Sequence, residues 1–267
     1  MRIFLAEWRK LRRPTLLLGS LGVVVAVTAL VTSLLFLLID AEGGNADRGE
    51  RITREMLALP TGVTIGFSSS ASLLGLVALC VFAAQTAQEY TYGTLRNLLV
   101  REPRRVRLLI GKYLAMAAFA FVTVVVSAIT SVALAFALAG RARVVTDLWT
   151  TSEARGSLIE TFVNVMISTF GYGTIGMILG LLFRSPISSI SIGVGWLLVV
   201  ESIITIAWRP SGDWMPGQLL SIVAAGGSPI GFSDAPSYTQ ALLRVGVYLA
   251  VAAVATGALF KRRDVAN

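Results

Sequence analysis

Six stretches of this chain are long, apolar and almost free of charge, and they limit its fold more than any other feature. Residues 14–39, 63–87 and 113–139 contain no Asp, Glu, Lys or Arg. Residues 158–183, 187–207 and 240–260 contain one each: Glu160, Glu201 and Arg244. About 20 residues of α-helix cross a hydrocarbon core of roughly 30 Å, and each stretch has at least 21. Backbone in lipid must bond to itself, so each stretch is predicted to be a helix. The strands of a β-barrel would be far shorter and would alternate in polarity. The expected fold is therefore an all-α integral membrane protein of six transmembrane helices, a single transmembrane domain over residues 1–267. A cleaved leader is not expected: 14–39 is a full span, with no small-x-small cleavage site just after it.

The side-chain inventory narrows the chemistry. Only 14% of residues are charged, against about 25% in a soluble domain. There is no histidine and one cysteine, Cys80. An intrachain disulfide, a thiolate cluster and a histidine-based metal site are all excluded, and no catalytic constellation is visible, so the chain is not expected to be an enzyme, to hold a metal or to carry a cofactor of its own. The net charge of +8 and pI of 10.2 do not point to nucleic acid, because the basic residues flank the spans rather than form a separate module. Their expected partner is the lipid bilayer.

The flanks also orient the chain. The N-terminal segment carries Arg2, Arg9, Lys10, Arg12 and Arg13; connection 88–112 carries Arg96, Arg101, Arg104, Arg105, Arg107 and Lys112; Arg184 and then Lys261, Arg262 and Arg263 follow on the same side. The alternate connections hold Arg48, Arg51, Arg54, Arg141, Arg143, Arg155 and Arg209. Fifteen cations against seven put both termini in the cytoplasm by the positive-inside rule, in the cell membrane. The first outer loop also holds Asp40, Glu42, Asp47, Glu50 and Glu55.

Residues 1–13 read as an amphipathic helix lying in the membrane interface. At 100° per residue, Met1, Phe4, Leu5, Trp8 and Leu11 share an arc, with Arg2, Arg9, Lys10 and Arg13 opposite; Ile3 and Arg12 fall out of place. The apolar side, including Phe4, Trp8 and Leu11, is expected in the acyl boundary, and Arg9 and Lys10 among headgroups. Pro14 then opens the first span, where its missing N–H costs nothing.

The segment 88–105 is too long and too patterned for a tight turn. Leu95, Leu98, Leu99 and Glu102 have helical spacing, and Pro103 ends that piece. A short cytoplasmic helix is expected here, pinned between spans two and three. The run Glu89-x-x-x-Gly93-Thr94-Leu95-Arg96, then a Pro and a basic cluster, then Gly111-Lys112 leading into a span, resembles the permease subunits of ABC-2 type transporters. The amphipathic basic helix before span one, the short link after Arg184 and the long connection before span six extend the likeness over most of the chain.

That resemblance implies a homodimeric or heterodimeric permease that binds two copies of a cytosolic ABC ATPase. The helix near 89–102 would be the coupling helix, with Glu89 and Arg96 as polar handles, Gly93 allowing the tight junction, and Thr94 and Leu95 completing the block. ATP and Mg would be bound by the partner, since this chain lacks a Gly-x-x-x-x-Gly-Lys-Ser/Thr loop. The alternative is a gradient-driven secondary transporter or channel without an ATPase, a class that uses midplane charges, broken helices or repeats. Substrate and partner identity are not legible in the residues.

Four polar residues near the outer halves of the spans complete the candidates: Glu160, Asn164, Glu201 and Arg244. Glu201 and Arg244 are expected to pair between spans five and six, as a structural clasp or as part of an outer gate. Span four is rich in small and hydroxyl residues, which suit close packing or a translocation path. Segment 208–239 is broken by Pro216, Gly226, Gly227, Pro229 and Gly231. It reads as a re-entrant or surface-lying helix, or as an irregular loop.

Overall fold

The computed structural model describes residues 2–39, 53–101, 104–227 and 236–262. Among them the chain is helical, with no strand. Helix α1 (Arg2–Leu11) precedes α2 (Pro14–Leu37), and a short α3 (Arg54–Ala58) precedes α4 (Gly62–Thr91). Then come α5 (Thr94–Arg101), α6 (Arg105–Ala139) and α7 (Ser152–Phe183). The fifth span is α8 (Pro186–Val194), a π-helical turn (Gly195–Val200) and α9 (Glu201–Ala207). Helices α10 (Pro216–Ala225) and α11 (Tyr238–Arg262) close the described chain. Six helical segments are long and apolar enough to cross a membrane, at the six places the sequence predicts. The chain is an all-α, multi-pass membrane protein.

Helices α4 and α7 form the centre. About half of each apolar window is buried, 50% and 56%, against 11% for the sixth span. Leu243, Val247, Val251 and Val254 on α11 are each more than half exposed, as a face turned to lipid would be. The close packing of α4 on α7 comes from glycines. A Cβ on Gly176 would stand 2.3 Å from the Leu79 carbonyl oxygen, and one on Gly75 would stand 2.2 Å from the Tyr172 ring. The small residues of span four therefore serve packing here, as small residues do between helices in lipid.

Hydroxyl pairs join α2 to α6. Thr28 meets Ser127 at 2.8 Å, and one turn on Thr32 meets Ser131 at 3.1 Å. A Cβ on Gly66 of α4 would collide with the second pair. At the same end Trp149 donates its indole N–H to the Leu57 carbonyl at 2.9 Å, tying α3 to the 3₁₀ turn after α6.

Two features refine the expectation. The fifth span is not one regular α-helix: the π turn widens it just before Glu201. Helix α10 is packed inward rather than surface-lying, which leaves the re-entrant reading of 208–239, since Leu219, Leu220, Ile222 and Val223 are buried against α4, α7 and α11. At ten residues it is about 15 Å long and cannot cross the bilayer. Residues 228–235 of that connection, and the acids Asp40, Glu42, Asp47 and Glu50, lie outside the described residues.

Candidate functional site: a buried ion cluster beside the α4–α6 connection

The spans on either side of the patterned segment run further than their uncharged stretches. Helix α4 continues to Thr91 and α6 begins at Arg105. The connection between them is thereby reduced to α5 and its two joints. Gly93 makes the first joint with φ +66, a left-handed conformation that glycine adopts without a Cβ penalty. Leu95 then turns inward and is 3% exposed, in one apolar cluster with Leu11, Phe82, Leu108, Leu181 and Phe260. Thr94 is exposed, while Tyr92 and Val100 are the most open apolar side chains among the described residues of the connection, at 74% and 80%. The side chain of Arg96 lies outside what the structure describes.

Glu89 sits one turn before the glycine and faces the interior. With a residue exposure of 6%, the residue that the resemblance makes a polar handle is buried. The reason is Lys112, one turn beyond Leu108 on the buried face of α6 and itself 2% exposed. Its ammonium donates to Glu89 Oε1 at 2.8 Å, to Glu7 Oε2 at 3.0 Å and to the Gln85 carbonyl at 3.0 Å. Lys10 donates to Glu89 Oε1 at 2.9 Å and is paired with Glu7 Oε1 at 2.6 Å. Two carboxylates and two ammoniums from three helices form a neutral cluster. All three Lys112 donors are used, which is what makes a buried ammonium tolerable.

Electrostatics in the cluster favour the charged forms. Burial pushes the Glu7 carboxyl up, but Lys112 and Lys10 outweigh it and hold Glu7 below the usual carboxylate range. Burial likewise pushes the Lys10 ammonium down. Its hydrogen bond to Glu7 and the charge of Glu89 reverse this, leaving Lys10 above the usual lysine range. A narrow crevice lined by Thr86, Glu89, Tyr90, Leu95, Lys112 and Phe260 opens beside the cluster.

Helix α1 is amphipathic as read, but its buried face is rotated from the predicted arc. Glu7 and Leu11 are buried, Ile3, Phe4 and Trp8 half-buried, and Leu5 is 52% exposed. Phe4 and Trp8 stack in parallel with centroids 6.2 Å apart. Ile3, out of place on the apolar wheel, is the residue that docks: a Cβ on Gly111 would stand 2.7 Å from its Cγ2. Lys10 belongs to the ion cluster rather than among headgroups, whereas Arg9, Arg12 and Arg13 are exposed. Sequence reasoning missed Glu7 and Lys112. One signal existed, since Glu7 lies about 40° from both Ile3 and Leu11 on a helical wheel.

The four polar candidates within the spans separate. Glu201 and Arg244 do not pair. Glu201 is fully buried and accepts from the backbone N–H of Gly217 at 3.0 Å and of Gln218 at 3.3 Å. A carboxylate suits these first, otherwise unbonded N–H groups of α10. Arg244 instead donates to the Asp213 carbonyl at 2.7 Å and lies 4.5 Å over the Trp214 ring. The clasp thus runs from span five to α10, with Tyr172 adding a bond to the Gly217 carbonyl at 3.1 Å. Asn164 accepts from Tyr238 at 2.9 Å and joins α7 to α11, while Glu160 is exposed near the start of α7. Among the described residues no group of His, Cys, Asp and Glu is placed to hold a metal.

Comparison with known sequences adds a relative from Bacillus subtilis (strain 168), "Uncharacterized protein YhcI". It is 24% identical over 209 residues, covering 73% of this chain and 66% of the relative, so the match spans just under two thirds of the relative's length. Residues 56–266, which include Glu89, α5 and Lys112, match one family throughout, and the chain belongs to that family, described as "Protein of unknown function (DUF2705)".

Proposed function

We propose that this chain is the membrane-spanning permease subunit of an ATP-driven, ABC-2 type exporter. It would work as a dimer in the cell membrane with both termini cytoplasmic, coupled to a separate cytosolic ATPase that binds ATP and Mg. The observation that carries this reading is α5. It is a short helix hung between two spans by the Gly93 joint, seated by Leu95, with Tyr92 and Val100 left open. Helix α6, at 35 residues, is about 52 Å long against a hydrocarbon core of roughly 30 Å. Its extra length on the cation-rich side lets a force on α5 reach the outer half through a rigid lever. Closure of two ATPase subunits on ATP would push α5 and tilt α4 and α6 together.

Tyr92, Thr94 and Val100 replace Glu89 as the contact residues in this reading, since Glu89 is committed to its lysines. The test is native co-purification of the tagged chain from membranes in mild detergent, with Val100→Asp and Tyr92→Ala compared with the unaltered protein. The expected result is an ATPase recovered in equal amount with the unaltered chain and lost from the variants, with membrane insertion retained. Recovery of no ATPase even after crosslinking, together with ion-gradient-driven flux by the chain alone in proteoliposomes, would overturn it in favour of a secondary transporter.

A further inference from the structure

We propose that α1 is a strap that sets the position of α5, held in its docked place by the Glu7–Lys10–Glu89–Lys112 cluster and released as a unit. Two independent connections run from α1 to α5. One is ionic: Glu7 and Lys10 both engage the Glu89–Lys112 pair, and Glu89 lies four residues before the Gly93 joint. The other is apolar: Leu11 of α1 and Leu95 of α5 belong to the same buried cluster, packed with Phe4, Trp8 and Leu98. Removing α1 would withdraw the ionic and the apolar support beside the joint together.

The charge arrangement suits reversible release. Glu7 pairs with Lys10 within α1, and Glu89 pairs with Lys112 between α4 and α6. Separation therefore yields two neutral pairs rather than a stranded buried charge, which is the costly outcome in such clusters. An apolar strap would have no such partition, and a single cross-strap ion pair would leave two bare charges. The freed helix also has a ready environment, because Leu5 and the exposed Arg9, Arg12 and Arg13 suit an interface of lipid chains and headgroups. The regulatory meaning, that docking of α1 tunes coupling through α5, rests on the exporter reading; the mechanical link does not.

The experiment uses the full chain in lipid nanodiscs with Cys80→Ser. Ile3 Cβ lies 2.9 Å from where a Cβ on Gly111 would stand, so a shift of about 1 Å reaches disulfide spacing. Ile3→Cys with Gly111→Cys then locks α1 in place, and Glu7→Gln with Lys10→Met weakens the cluster. Folded, oxidised protein is compared before and after reduction by hydrogen exchange of the α5 amides. The expected result is exchange in α5 faster by about tenfold or more on reduction, with α7 unchanged. Unlocked protein carrying Glu7→Gln alone, set against protein with Glu7 intact, supplies the same comparison without a disulfide and is expected to move in the same direction. Faster exchange in α1 with none in α5 overturns the proposal, as does no change in either helix. No ATPase takes part, so this result and the fate of the coupling reading are separable.

Discussion

Two buried carboxylates, Glu89 and Glu201, lie in opposite halves of the molecule and are satisfied in opposite ways. Glu89 is held by two lysines, one from α1 and one from α6. Glu201 is held by the backbone N–H groups that open α10. Among the described residues no cation pairs with it. The first solution ties three helices through side chains and fails when any one is altered. The second uses backbone N–H groups, which no side-chain change short of proline deletes, so it depends chiefly on the carboxylate. One end thus depends on several side chains at once, and the other on one carboxylate and the backbone.

Lys112→Met is the hardest test of that contrast. It leaves two buried carboxylates sharing Lys10, and breaking such a cluster costs about 3–5 kcal/mol. Unfolding of the variant in mixed micelles should show that loss, with α1 exchanging freely; a loss below about 1 kcal/mol would mean water already reaches the cluster.

The same substitution at both carboxylates sharpens the comparison. Glu89→Gln leaves an excess positive charge among the lysines, whereas Glu201→Gln keeps an oxygen for the α10 amides. The first should exceed the second by about 2 kcal/mol in the same unfolding assay. Equal effects would refute the distinction between ionic and backbone satisfaction.

Gly111→Leu probes the docking surface without touching charge. The new side chain would occupy the place of Ile3, and overpacking of this kind costs about 1–3 kcal/mol. Protease cleavage after Arg9 or Lys10 should accelerate, while exchange in α10 is unchanged.

The smallest effect is the pH response of α1. Glu7 is lowered, so its contribution is complete above the unfolded carboxylate value and disappears as pH falls through the lower folded one. Lys10 is raised, so its contribution is complete below the unfolded lysine value and disappears as pH rises through the higher folded one. Protection of α1 should therefore be flat between about pH 5 and pH 10 and fall in stronger acid. A step near neutrality in hydrogen exchange, corrected for intrinsic rate, would contradict the cluster as described.

How much of this was legible follows from where each signal lies along the chain. The spans are local: an uninterrupted apolar run of sufficient length admits one solution in lipid. The joint was also local, since Gly93 before a Leu-spaced octet announces a turn and a short helix. Glu89 was named as a polar handle from the resemblance, and its ion partners were not legible because they are 23 and 79 residues away. Lys112 read as one more basic flank. Glu201 was assigned the nearest opposite charge in the membrane, Arg244, when the available donors were peptide N–H groups that no residue type advertises.

What the sequence determined by itself is the six membrane-spanning segments and the break that produces α5. These follow from hydrophobic length and backbone hydrogen bonding, which act over one segment at a time. What only the tertiary structure decided is which groups meet inside: Glu7 with Lys112, Glu201 with α10, and the apolar contact of Ile3 with Gly111. A helix of 3.6 residues per turn offers every side chain a direction, but the direction that is buried depends on neighbours folded in from elsewhere in the chain.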